Sequence, residues 1–183
     1  MRKRAYLSET EQRVFYKLFY AAGTYVNYKR KVVPWVEIMD PRYCTGPDAD
    51  KIVDVMRHHP EDMKEMAQDR TLPMTDAQRE IIAGWSRMIF GSFVAVDFTP
   101  AGSFFVPEDG QTVYQVYGLR RPMEDFFSHG APLRITTCLM PFRGKIITDG
   151  FFYRGDELSA KEKARFLEIY AGARENGTIQ TEM

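Results

Sequence analysis

Residue 89 divides the chain into two textures that no single regular architecture can hold. Before it, apolar side chains recur three and four residues apart, the period of a helix face. After it, short runs rich in Phe, Val, Ile, Thr and Tyr are broken by Gly or Pro every six to twelve residues, the rhythm of short antiparallel strands. The first half predicts four helices. Ser8-Glu9-Thr10-Glu11 has the form of a capping box. Val14, Phe15, Leu18, Phe19, Ala22, Tyr25 and Val26 follow on one face of a helix of about five turns. Asp40-Pro41 and Gly46-Pro47 mark a loop. A second helix is expected after Asp48, a third opening at Pro60, and a fourth behind the Thr75–Gln78 capping box.

In the second half, strands are expected over residues 91–98, 103–106, 112–117, 133–140 and 145–148. Residues 151–154 either continue the last strand past a bulge or pair separately. A helical turn is expected within 121–127. A third capping box at Ser159 to Glu162 opens a final helix that Gly177 stops, and the tail beyond it is either loose or a short extended arm. The fold class is therefore α+β: a helical N-terminal part (1–88) packed on a small antiparallel β-sheet or half-open barrel, closed by a C-terminal helix (89–183). No Pro/Gly/Ser linker separates the parts, so a shared core is allowed.

Charge narrows the function. The 25 basic and 25 acidic residues cancel, which argues against a general polyanion binder. The distribution is uneven: residues 1–33 carry eight basic and two acidic side chains, with Arg2, Lys3, Arg4, Lys29, Arg30 and Lys31 among them. Cations suit the end of a helix, and docking on an acidic surface is the other use for them. Two distant cysteines, Cys44 and Cys138, read as free thiols of a reducing compartment. With no signal-peptide pattern and no long apolar run, the expected location is cytoplasmic, away from any membrane.

Specific chemistry is sparse. His58-His59 point about 100° apart on a helix, so one metal cannot easily take both. No HExxH, GxSxG, phosphate-binding loop or GxGxxG motif occurs. No metal, cofactor or catalytic residue is assigned. His129 reads as a loop residue, and Cys138 as a small hydrophobe inside a strand. Cys44 stands near Arg42, whose charge would lower a thiol's pKa. The residues suited to binding are Arg120, Arg121, Arg143, Lys145, Tyr153 and Arg154, cations interleaved with aromatics in the strand-rich half. Acidic residues in the same segment leave it net negative, so a continuous positive stripe is not guaranteed.

The most patterned stretch is MPFRGKIITDGFFYRG, residues 140–155. Pro141-Phe142-Arg143-Gly144 supplies a turn between two strands, and Asp149-Gly150 a bulge or second turn. "LMPFRGKIITDGFFY", with "VYGLRRPMED" upstream, resembles a hairpin signature of an uncharacterised bacterial protein family. The resemblance covers about a third of the chain and implies no known activity. The resulting expectation is a non-enzymatic binding or accessory protein acting on another macromolecule, most readily a protein or a second copy of itself. A nucleic-acid-binding barrel is one alternative. An enzyme with its site in the cleft between the helical and β parts is the other.

Overall fold

The computed structural model describes residues 5–127 and 130–183. They form two compact units. One comprises Thr10–Met88; the other combines the residues up to Glu9 with Ile89–Met183.

The helical unit holds α1 (Glu9–Arg30), α2 (Gly46–His58), α3 (Glu61–Gln68) and α4 (Asp76–Gly84). α1 runs about six turns, one more than the periodicity predicts. α2 starts three residues earlier than expected. Thr45 caps it by accepting from the Asp48 amide, and Pro47 sits in the first turn, where no donor is needed. The Thr75/Gln78 capping box of α4 forms as predicted. Phe15 and Phe19 of α1 pack edge-on against Trp85, with ring centres 5.8 and 6.3 Å away. The loop after α1 is pinned by Asn27. Its amide donates to the Val33 and Val36 carbonyls and accepts from the Val33 N–H. Two cations of the last α1 turn are spent inside the unit: Lys29 and Arg30 both reach Asp62 of α3, whose side chain is fully enclosed. Burial alone would raise that carboxyl's pKa, but hydrogen bonds from Arg30 and Lys29 outweigh it and hold it below the usual range. The docking role for this part of the basic end is thus replaced by an internal ion cluster. Arg2, Lys3 and Arg4 lie outside the described residues, as do Ser128 and His129.

The second unit is a barrel. Its strands are β1 (Ile89–Thr99), β2 (Gly102–Pro107), β3 (Tyr114–Tyr117), β4 (Leu133–Pro141), β5 (Ile146–Thr148) and β6 (Tyr153–Arg154). The order β1-β2-β3-β5-β4 closes on itself because β4 also pairs with β1. The barrel is closed rather than half-open. It is also mixed: every strand pair is antiparallel except β3 with β5. The parallel pair arises because the chain leaves β3, crosses through a 3-10 turn (Met123–Phe126), and returns by β4 before reaching β5. Phe93, Ala95, Phe105, Val116, Ile135, Leu139 and Ile146 fill one core. Val94, Val96, Phe104 and Val106 face the other way and pack with Phe166, Tyr170 and Ala173 of α5 (Ala160–Asn176). A bulge between Ala95 and Asp97 serves this second core. It turns two successive residues toward α5: Val96 joins the apolar cluster, and Asp97 accepts from the Tyr170 hydroxyl at 2.9 Å. Burial, then that bond to Asp97, pushes the Tyr170 pKa up to about 12.

The tail takes the extended form. Gln180 exchanges backbone bonds with Val113 and Gln115 at the edge of β3. Near the start of the chain, Ala5 and Leu7 bond both backbone groups of Gly118.

Candidate functional site

The hairpin joining β4 and β5 has a two-residue turn. Phe142 and Lys145 exchange both backbone bonds, and the central residues Arg143 and Gly144 have φ of 52° and 69°. Positive φ at both central positions defines a type I′ turn, whose twist matches that of the flanking strands. The turn is therefore Phe142–Lys145, one residue later than the proline-led reading. Arg143 is exposed at the tip, and Lys145 lies over the Tyr117 ring at 5.7 Å.

β6 continues β5 along the same strand. Thr148 pairs with Leu139, and Tyr153 pairs with Thr136, so residues 149–152 oppose only Thr137 and Cys138. The Asp149-Gly150 step makes this excursion. Asp149 Oδ1 accepts from the Phe151 N–H, Thr137 donates its hydroxyl to the Phe151 carbonyl, and Gly150 takes φ 89°. The excursion brings Phe152 against the 3-10 turn. Phe152 meets Phe126 and Phe127 at centroid distances of 5.6 and 5.8 Å, and Phe127 stacks on Phe98 of β1. Arg121 covers Phe126 at 4.1 Å. The Arg121 backbone passes close to Gly118, where a Cβ would lie 2.0 Å from the Arg121 carbonyl oxygen.

Between these elements opens a pocket of about 500 Å³, lined by Phe126, Phe127, Leu133, Phe151, Phe152 and Arg154, with Gly150 at its edge. Its lining is mostly aromatic and it stays open to solvent on one side. Phe126 remains 43% exposed. Arg154 also lines a second, more polar pocket of about 250 Å³ with Lys163, Asp156 and Glu157. Arg134 borders that pocket but is already engaged by Glu108 and by Glu162, the latter at 2.8 Å.

The six binding candidates thus fall into two groups. Arg154 lines the phenylalanine pocket and Arg121 lies over its Phe126, while Tyr153 is exposed beside Arg154 on the opposite face of β6 and Arg120 is exposed beside Arg121 in the chain. Arg143 and Lys145 sit at the other end of β4, six residues along the strand, about 20 Å away. A positive stripe joining Arg143, Lys145 and Arg154 would have to span that distance along β4. Sequence reasoning missed Phe126, Phe127 and Phe152 as site residues. Their signal was an aromatic pair after Asp125 and another after Gly150, each unremarkable until the barrel brings them together.

In the helical unit, His58 Nδ1 lies 2.8 Å from the Asp54 carbonyl and His59 Nδ1 lies 2.9 Å from Glu61, so each imidazole is engaged locally. No group of three His, Cys, Asp or Glu among the described residues could hold a metal ion. Both cysteines are free. The Cys44 thiol is not activated: burial, with the Asp48 charge adding to it, pushes its pKa up. Arg42 turns instead to Asp40. No helix among the described residues is long and apolar enough to cross a membrane. No protein-family model, curated protein or solved structure matches the chain.

Proposed function

We propose that this is a non-enzymatic binding protein that engages a partner polypeptide through the phenylalanine pocket of its barrel. The observation that carries the reading is the pocket itself: an apolar cavity of about 500 Å³ beside an arginine, with one phenylalanine left half out in water. Aromatic and arginine side chains in such a setting dominate protein recognition. None of the lining side chains is a nucleophile or a general base. Charge favours a polypeptide over a nucleic acid. Arg121, Arg154 and Lys163 alternate with Glu124, Asp125, Asp156 and Glu157, a mixed field that offers a phosphate backbone no net attraction. Five-stranded Greek-key barrels that bind oligonucleotides use the outer face of strands 2 and 3. Here Phe104 and Val106 of that face are packed under α5.

A backbone-amide NMR titration with two probes tests the reading. N-acetyl-phenylalaninamide is expected to shift Phe126, Phe127, Phe152 and Arg154, and an oligothymidylate to shift nothing. Shifts from the oligothymidylate at Tyr117, Arg143 and Lys145 would replace this reading with the nucleic-acid one. Silence of the pocket toward N-acetyl-phenylalaninamide would remove it.

A further inference from the structure

Beside the pocket, β6 offers something a simple apolar cavity does not. It pairs with β4 on one side only and ends the sheet order. Gly155 donates its N–H to the Arg134 carbonyl, and Tyr153 is paired with Thr136. In an antiparallel ladder successive residues alternate in direction. The N–H and C=O of Arg154, and the C=O of Phe152, therefore point away from β4, and no described residue bonds them. Tyr153 and Arg154 are exposed along this edge. Phe152 and Arg154 share one face of the strand, and that face lines the pocket.

Resting on the pocket reading above, we infer that the occupant is an extended peptide segment that adds as a strand to the edge of β6 that faces away from β4. It places an aromatic or large aliphatic side chain among Phe126, Phe127 and Phe152, and a carboxylate two residues away against Arg154. Main-chain bonds to an edge supply affinity in this mode, and pockets for alternate side chains supply specificity. The shortness of β6 and the charge of Arg154 disfavour indiscriminate edge pairing, which leaves selection to the pocket. A nucleic acid has no alternating amide N–H and C=O groups to match the ladder.

Dye-labelled hexapeptides in which Phe and Glu stand two apart among threonines, made in both orders, test this by fluorescence anisotropy. One order is expected to bind saturably. N-methylation of its backbone should weaken binding about tenfold at alternate positions and leave the intervening ones unchanged, since only every second N–H faces β6. Arg154→Glu should weaken that peptide and favour its counterpart with Lys in place of Glu. A uniform response to N-methylation, or no charge swap, overturns strand addition. If the hexapeptides fail while N-acetyl-phenylalaninamide still shifts the pocket, strand addition falls and the pocket reading stands. If both probes fail, both fall.

Discussion

Arg143 is the residue whose identity fits its backbone least. It occupies the first central position of the type I′ turn at φ 52°, where a side chain with Cβ is disfavoured and Asn or Gly is the usual occupant. Among the described residues its side chain gains only a distant contact with the Phe142 ring, 5.8 Å from guanidinium to centroid. Arg143→Asn should therefore stabilise the protein by about 0.5–1 kcal/mol. The check is the midpoint of urea unfolding, at unchanged slope. A lower midpoint would mean that the arginine stabilises the turn in a way the backbone does not reveal. The Gly144 half of this turn was readable from sequence, because glycine announces positive φ. The Arg143 half was not: arginine carries no such signal, and only the exchanged bonds of Phe142 and Lys145 set the register.

Among the elements, α5 shows how capping and charge combine. Ser159 accepts from the Glu162 N–H while the Glu162 carboxylate takes the Ser159 N–H and hydroxyl, and its other oxygen receives Arg134 of β4. The bonds from Ser159, with Arg134 adding to them, hold the Glu162 carboxyl at about 2. Its folded pKa is depressed, so the stability it contributes is complete above the ordinary value of 4.5 and is lost as pH falls toward 2. Glu162→Gln should lower the thermal midpoint at pH 7 and flatten its decline between about pH 4.5 and 2. Melts across that window, wild type against variant, provide the check; parallel curves would place the acid sensitivity elsewhere. The helix itself, its box and its Gly177 stop were legible because they are local in sequence. Its seat on β1 and β2 was not, since that depends on a bulge that turns both Val96 and Asp97 toward it. The phenylalanine pocket was hidden for the same reason. Phe98, Phe126 and Phe152 come from three distant segments, and only barrel closure collects them.

The two units are not two consecutive halves of the chain. One boundary between the units falls where the texture changes, at residue 89, and the other lies at Glu9. Three residues, Ala5 to Leu7, are too few to show a strand period, so this assignment could not be read from sequence. It follows from two backbone bonds: the Gly118 N–H donates to the Ala5 carbonyl at 2.8 Å, and the Leu7 N–H donates to the Gly118 carbonyl at 3.0 Å. Leu7 is wholly buried. Gly118 lies where β3 ends and the chain turns toward Arg121 and the 3-10 turn, so this pairing anchors one wall of the pocket. Removing residues 1–7 should therefore destabilise the barrel unit by about 2–4 kcal/mol, from one buried leucine and two hydrogen bonds. Hydrogen exchange locates the effect. The Gly118 and Leu119 amides should lose protection and the Phe126 signal should shift, while Phe19 and Val26 in the middle of α1 keep theirs. Loss of protection in α1 with the barrel unchanged would assign the first segment to the helical unit instead. Retention at both places would show that Gly118 is held by the barrel alone, and that the pocket wall stands without it.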